Sequence, residues 1–269
     1  MYTLYVVATP IGNLEDISLR ALRVLKEVKI IAAEDTRKTS RLLNRYQITT
    51  PMTSYYEHNK LEKLDRMLAY LETGDMALVS EAGMPGISDP GYELVVAAVE
   101  QGIIVVPVPG ASAVTTALAV SGLPTDRFTF LGFLPAKTSA RKQALEEVKT
   151  EKGTLIILEA PHRVEDSLKD ILAVLGDRQI AICRELTKMH EEIFRGSVIE
   201  AAAHFTEPKG EFTLVIEGNR QETLQELTDD IKSKLKELRA SGISAKEAIP
   251  AMMAETGLTK RELYRAWLA

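Results

Sequence analysis

The chain has 269 residues, of which 45% are hydrophobic, and this is enough for two hydrophobic cores of ordinary size. Its formal net charge of −5 argues against indiscriminate nucleic-acid binding through bulk charge, although local basic patches remain compatible with it. The single cysteine, Cys183, excludes a disulfide framework and a cysteine-based zinc site. Because the sequence has neither an apolar run of membrane-spanning length nor a leader-like beginning, we expect a cytoplasmic protein.

The first half of the chain alternates short apolar runs with amphipathic runs, which predicts strands that are each followed by a helix. The expected strands cover residues 4–7, 29–33, 76–79 and 103–106. The expected helices cover residues 17–28 with Asp16 as N-cap, 36–46, 60–71, 92–99 and 113–120. This repetition predicts a mostly parallel open sheet, whose strands all end at the edge where α/β folds bind ligands.

The segment Ser80–Gly91, SEAGMPGISDPG, lies at the centre of this pattern. Its three glycines can adopt backbone angles that are closed to other residues, and its two prolines fix φ around them. An ordinary strand-to-helix connection often contains glycine and proline as well. Because so long and stiff a loop is unusual for a mere link, we interpret it as a ligand cradle.

A second α/β set is expected after a linker at residues 122–126. Strands are predicted at 128–131, 154–158 and 179–183, and helices at 139–149 and up to about 175. Residues 193–199 carry turn chemistry at Gly196, and residues 212–217 alternate like an exposed-edge strand. We therefore predict an α/β protein with two α/β domains, residues 1–122 and 123–219, and a cleft between them.

The composition changes near residue 218, and a helical C-terminal extension is predicted over residues 220–269. A charged helix at 221–239 precedes two shorter helices at 245–255 and 260–268, with Thr259 as the expected cap of the last. The turn Thr256-Gly257-Leu258-Thr259 joins the two short helices, an arrangement that resembles a helix-turn-helix. Nucleic-acid binding and a helical cap over hydrophobic surface are both compatible with this pattern.

Several familiar fingerprints are absent from the sequence. It contains no G-x-x-x-x-G-K-[ST] loop, no G-x-G-x-x-G turn and no G-x-S-x-G elbow. The four histidines, at 58, 162, 190 and 204, show no metal-ligand spacing, so we expect no metal site.

Seven motifs occur in order along the chain: ATPIGN (8–13), AEDTR (33–37), SEAGMPGISDPG (80–91), PVPGASA (107–113), EAPHR (159–163), RELTK with HEE (184–192), and KGEFTLVIEG (209–218). Together they resemble the tetrapyrrole-methylase-like superfamily, the class III S-adenosylmethionine methyltransferases. Within it they are similar to the bacterial small-subunit (16S) ribosomal RNA cytidine-2′-O-methyltransferases. The resemblance implies two α/β domains with S-adenosylmethionine bound between them, a homodimer, and small-subunit ribosomal RNA as the partner.

The resemblance also implies a set of cofactor-binding residues. They are Pro10, Gly83, Met84, Ile87, Ser112, Ala113, Leu158, Glu159 and Phe212. Tetrapyrrole-modifying relatives usually carry Gly-Asp-Pro in the central loop, whereas this chain has Gly83-Met84-Pro85. We therefore expect a backbone contact from Met84 in place of an acidic one.

Methyl transfer to a ribose hydroxyl requires a correct in-line pose, and a general base adds to the rate. Our catalytic candidates are Glu81, Lys188 and Asp89, chosen from a set that also contains Glu34, Asp35, Glu159 and Glu191. Structural roles compete with these: Asp35 and Asp89 are also expected as helix caps, and Glu81 as an acceptor from amides within its own loop.

Arg37, Lys38, Arg163 and Arg184 are predicted to grip RNA phosphates. Tyr55, Tyr56 and His58 are candidates for base stacking, although we favour packing for them. The alternative functions are a small-molecule methyltransferase that acts on a tetrapyrrole and a non-catalytic RNA-binding factor.

Overall fold

The computed structural model describes residues 2–55, 60–219, 229–256, 258 and 260–268. Tyr56 and His58 lie outside the described residues, as do most of the predicted start of the C-terminal extension and the proposed cap Thr259. The chain divides into two compact units, one up to residue 218 and one from residue 219. None of the described helices is long and apolar enough to span a bilayer. The domain boundaries at 122 and 219 stay predictions.

The first sheet is fully parallel, as the alternation of strand and helix predicts. Its five strands are β1 (Thr3–Val7), β2 (Ile30–Ala33), β3 (Met52–Ser54), β4 (Met76–Val79) and β5 (Ile104–Val108). Their order is β3-β2-β4-β1-β5. The short strand β3 is absent from the sequence prediction because three half-buried residues show no clear alternation.

Five helices belong to this part of the chain: α1 (Leu19–Glu27), α2 (Thr36–Arg45), α3 (Lys60–Leu71), α4 (Tyr92–Glu100) and α5 (Ala113–Ser121). The prediction that Asp16 caps α1 is wrong. Asp16 ends a short 3₁₀ turn, and the hydroxyl of Ser18 accepts the amide of Ala21 at 3.1 Å. Serine two residues later therefore satisfies the free amide, and α1 begins after it.

The second sheet is mixed. Its strands are β6 (Phe128–Phe133), β7 (Thr154–Glu159), β8 (Gln179–Arg184), β9 (Glu192–Ser197) and β10 (Phe212–Ile216), in the order β6-β7-β10-β8-β9. Only β6 and β7 pair in parallel. Helices α6 (Thr138–Glu147), α7 (Val164–Leu175) and α8 (Val198–His204) accompany it.

Two predictions for this sheet are wrong. The strand β10 is not an exposed edge: it lies between β7 and β8, and all five of its residues are buried. Its one polar residue, Thr213, is buried as well. A polar residue between apolar ones is typical of a position that faces solvent, and this pattern led to the wrong prediction. Gly196 does not form a turn but lies within β9, opposite Ile180, because antiparallel pairing continues through it.

Helix α5 brings the two sheets together. Its residues Ala117 and Leu118 bury against Ile156 of β7, Ala181 of β8 and Val215 of β10. The carboxyl edge of the first sheet is thereby held beside the second sheet, and the two sets of loops border one space.

The smaller unit is helical, as predicted. It contains α9 (Asp229–Ala240), α10 (Ala245–Thr256) and α11 (Lys260–Leu268). Its own core consists of Leu235, Ala248, Ile249, Met252, Leu258, Leu263 and Trp267.

Candidate active site

The crevice of the first sheet lies between β1 and β4. The connection from β1 to β2 runs toward one edge of the sheet, and the connection from β4 to β5 runs toward the other edge. The direction in which the chain moves along the sheet therefore differs between these two neighbouring strands. Such a reversal opens a gap at the carboxyl ends of the strands. The loop after β1 and the central loop meet there, because the Thr9 amide donates to the Gly83 carbonyl at 2.8 Å and the Gly83 amide donates back at 3.0 Å.

A cavity of about 350 Å³ opens from this crevice toward the second sheet. This volume is in the range of sites for small molecules. Eight of the predicted cofactor-binding residues line it: Gly83, Met84, Ile87, Ser112, Ala113, Leu158, Glu159 and Phe212. The loops that the sequence predicts at one edge therefore do converge, and the second sheet closes the space.

Pro10 and Lys188 are not among the residues that line this cavity. Pro10 borders a smaller cavity of about 60 Å³, which it shares with Lys38 and Glu81. The ammonium group of Lys188 lies between the carboxylates of Glu185, at 2.8 Å, and Glu211, at 2.9 Å. These contacts hold the pKa of Lys188 above its usual value although burial opposes them, so the side chain remains protonated at neutral pH.

The lining is acidic. Five carboxylates border the cavity: Glu34, Glu81, Asp89, Glu159 and Glu211. Among the described residues that line it, none is a lysine, arginine or histidine. Glu81 and Asp89 share the central loop, whereas Glu34, Glu159 and Glu211 come from three other segments of the chain. Of the five, only Glu211 is absent from the candidates chosen from the sequence.

Asp89 has the most perturbed carboxyl group of this set. Burial raises its pKa to about 7, the negative charges of Glu34 and Glu81 add to the effect, and a hydrogen bond with Ser80 opposes it. Asp89 is not a helix cap, since the N-cap of α4 is Gly91 and no side chain caps that end. Burial also raises the pKa of Glu34, whose carboxylate accepts the Glu81 amide at 3.0 Å.

Glu159 is fully engaged by its neighbours. Its carboxylate accepts the Ser167 hydroxyl at 2.5 Å and the Ala160 amide at 2.9 Å, and the Arg163 Nε lies 3.3 Å away. The guanidinium of Arg163 also donates to the Leu134 carbonyl. Arg163 thus supports the wall of the cavity and has little of its side chain, 19%, in contact with solvent.

The other predicted RNA-binding residues differ in the exposure of their side chains and in the carboxylates with which they pair. The side chain of Arg37 is 90% exposed and pairs with Asp35 at 3.2 Å, while Asp35 caps α2 through the Arg37 and Lys38 amides. Lys38 pairs with Glu81, and Arg184 pairs with Glu192 at 3.2 Å. Arg37 and Lys38 therefore keep more than half of their side chains exposed, whereas Arg184 is only partly exposed, and each of the three is paired with a carboxylate.

Aromatic side chains from β6 complete the site. Phe130 and Phe133 line the cavity together with Phe212, although neither belongs to one of the seven sequence motifs. Strict alternation along β6 would put Phe130 and Phe133, which are three residues apart, on opposite faces of the sheet. The pairing of β6 with β7 shifts register between Phe130 and Gly132, and the sequence pattern does not predict this irregularity. Tyr55 is buried in the core of the first half, which agrees with packing rather than stacking.

Comparison with known proteins identifies the family. A model of the tetrapyrrole (corrin/porphyrin) methylases matches residues 3–202. The chain belongs to this family. The prediction of a methyltransferase from the ordered motifs is therefore confirmed.

Two relatives match nearly the full length of this family member. A protein of Halalkalibacterium halodurans named ribosomal RNA small subunit methyltransferase I is 50% identical over 98% of this chain and 94% of its own length. A protein of Synechocystis with the same name is 48% identical over 98% of this chain and 97% of its own. A crystal structure of uroporphyrin-III C-methyltransferase from Thermus thermophilus, in complex with S-adenosylhomocysteine, has a TM-score of 0.57 at 21% identity, covering 80% of this chain and 97% of that one. The predicted α/β fold class is thus confirmed.

Proposed function

We propose that this tetrapyrrole-methylase family member transfers a methyl group from S-adenosylmethionine to the ribose 2′-hydroxyl of a cytidine in small-subunit ribosomal RNA. The similarity to two proteins named for small-subunit ribosomal RNA methylation, at 50% and 48% identity, supports the substrate class. The observation that carries the proposal is the acidic cavity of about 350 Å³, which is bordered by loops from both sheets.

The residues present fit the methyl donor. Gly83, Ser112 and Ala113 are small, so backbone groups approach a ligand closely, and Phe130 and Phe212 offer apolar faces for a flat base. The carboxylates of the lining favour a ligand that carries positive charge. When bound, S-adenosylmethionine supplies a methyl group that is already activated by its sulfonium centre.

We assign Asp89 as the general base that accepts the proton of the ribose hydroxyl. A ribose hydroxyl is a poor acid, so a carboxylate with a pKa near 7 is well matched to accept its proton at neutral pH. The charges of Glu34 and Glu81 help to keep that pKa high. General-base assistance of this kind contributes roughly 10²–10⁴-fold to a rate.

Glu81 and Lys188 have positioning roles in this proposal. Glu81 borders both the main cavity and the smaller one, and its charge is balanced by Lys38. We therefore propose that Glu81 orients the side chain of Lys38. Lys38 and Arg37 then bind phosphates of the RNA at the entrance of the cavity. Lys188 fixes Glu211, a member of the lining.

We also propose a cytoplasmic homodimer. The strand β5 is an edge of the first sheet, and its Ile104 is exposed, as are Tyr92 and Val99 of the neighbouring α4. Exposed apolar side chains beside an unpaired edge favour association with a second copy. Light scattering of the purified protein tests this: a monomer at micromolar concentration would contradict it.

The function is tested by incubating the protein with methyl-labelled S-adenosylmethionine and either isolated small ribosomal subunits or a uroporphyrinogen. The RNA is then digested to nucleosides and analysed by mass spectrometry. We expect label in 2′-O-methylcytidine and none in the tetrapyrrole. Label in a base or in the tetrapyrrole would contradict the proposal, and the Asp89→Asn variant serves as the impaired control.

A further inference from the structure

The proposed site leaves the smaller unit without a role. Its three helices bury their apolar side chains on one another, with Leu235 from α9, Met252 from α10 and Trp267 from α11 in one core. These side chains need no other surface to cover them, so the helical-cap interpretation is not required to explain the sequence. The order of α10, a three-residue connection and α11 is that of a helix-turn-helix, in which the second helix presents its outer face to nucleic acid.

The outer face of α11 is basic and aromatic. Lys260, Tyr264 and Leu268 recur every four residues and are exposed, as is Arg265. Tyr264 is 47% exposed and Leu268 is 64% exposed, whereas Leu263 and Trp267, on the other side of the helix, are buried. We refer to Lys260, Tyr264, Arg265 and Leu268 as the α11 face.

The two cations of this face are available to a ligand. In the smaller unit Glu255 is paired by Lys234 of α9, and the guanidinium of Arg239 donates to the Trp267 carbonyl. Within the described part of the chain, no ion pair involves Lys260 or Arg265. A chain of net charge −5 thus displays two unpaired cations around an exposed tyrosine.

This combination matches unpaired RNA better than duplex DNA. Lysine and arginine bind phosphates, and an exposed aromatic ring stacks on a base that has left its helix. Reading a duplex requires side chains that hydrogen-bond to base edges, chiefly arginine, asparagine and glutamine. Of the four side chains of the α11 face only Arg265 is of this kind, and the exposed side chains beside it are Tyr264 and Leu268.

We propose that the α11 face binds an unpaired segment of the substrate RNA, as a second contact in addition to the methyl-transfer site. The identity of that RNA rests on the proposed function. A second contact on the same molecule raises the effective concentration of the acceptor at the first. Its loss is therefore expected to raise KM for RNA and to leave kcat at saturating RNA unchanged.

The test uses the full-length protein and transcribed small-subunit ribosomal RNA in filter-binding titrations at several salt concentrations. We expect the double variant Lys260→Glu with Arg265→Glu to bind roughly 10-fold more weakly. Its salt slope should fall by about 1.4, since each phosphate contact on a single strand contributes about 0.7. Tyr264→Ala should weaken binding about 5-fold with an unchanged salt slope, because stacking releases no counterions.

The matched control is Lys236→Glu with Lys246→Glu, which makes the same change of charge in the same unit on exposed positions of α9 and α10. It should bind RNA within about 2-fold of the wild type. Affinity for S-adenosylmethionine and the melting temperature, measured for every variant, should be unchanged and so establish that each is folded.

Wild-type affinity in the α11 double variant would overturn the inference. An equal loss in the control would also overturn it, because the effect would then follow net charge, and so would tighter binding of a duplex DNA of the same length than of RNA. Failure of the proposed function looks different: the wild type would bind the RNA and S-adenosylmethionine without methylating a ribose.

Discussion

Thr9 and Gly83 exchange two main-chain hydrogen bonds, at 2.8 and 3.0 Å, although they stand in loops that follow different strands. This exchange joins the loop after β1 to the central loop like one rung of an antiparallel ladder. Gly83 adopts a φ of +82° to make it, a conformation that L side chains rarely adopt. The glycine of the central loop is therefore required by the shape of the crevice.

Gly83→Ala is expected to weaken binding of S-adenosylmethionine about 10-fold and to lower the free energy of unfolding by about 1–2 kcal/mol. A Cβ at this position meets only ordinary contacts, at 3.6 Å or more, so backbone strain is the cause. The control is Gly102→Ala, because Gly102 has a similar φ of +70° and open space around it. Calorimetric titration should show the loss of affinity only in the first variant; equal affinities would contradict the assignment of the cradle.

Asp89→Asn should lower kcat for methyl transfer by roughly 10²–10⁴-fold and leave the affinity for S-adenosylmethionine within a few fold. The wild-type kcat should rise with pH and level off above the pKa of about 7, because only the ionised carboxylate accepts a proton. Single-turnover rates between pH 5.5 and 8.5 provide the measurement. A flat profile in the wild type would remove Asp89 from the proton transfer.

Arg37 and Arg163 should respond differently to charge reversal. Arg163→Glu places a carboxylate beside the buried Glu159 and should cost about 3–5 kcal/mol of stability. Arg37→Glu changes an exposed side chain and should leave the melting temperature within about 2 °C while RNA affinity falls several-fold. Thermal melts and RNA titrations separate the two effects. Normal stability in Arg163→Glu would show that its contacts do not support the wall.

The acidic lining should make donor binding more sensitive to salt than product binding. S-adenosylmethionine carries a sulfonium charge that S-adenosylhomocysteine lacks, and added salt screens its attraction to the carboxylates. Between 50 and 500 mM NaCl, we expect the Kd of the donor to rise about 3-fold more than that of the product. Calorimetry on one protein preparation compares them directly, and an identical salt dependence would argue against an electrostatic role of the lining.

Much of the site could be predicted because its residues are local to strand ends. Gly83, Met84 and Ser112 follow apolar runs that predict strands. Parallel strands bring the loops that follow them to the same edge of the sheet. The capping role of Asp35 is likewise a local property, and the structure agrees with it.

The features of the fold and of the site that could not be predicted depend on contacts between residues that are far apart in the sequence. The strand β10 lies in the middle of its sheet because β7 and β8 cover both of its edges, and no pattern within residues 212–217 specifies those neighbours. The high pKa of Asp89 arises from burial and from Glu34, which is 55 positions away in the chain, and Phe130 reaches the cavity from the second sheet. Convergence of this kind requires α5, which follows β5 of the first sheet, to pack against the second sheet.

The central claim is that one cavity, bordered by loops of both sheets, holds the methyl donor. A crystal structure of the protein grown with S-adenosylhomocysteine tests this most directly. We predict ligand density between the Gly83-Met84 turn and Phe212, with the sulfur on the side of Asp89. Density at another surface, or an empty cavity at saturating ligand, would contradict the account.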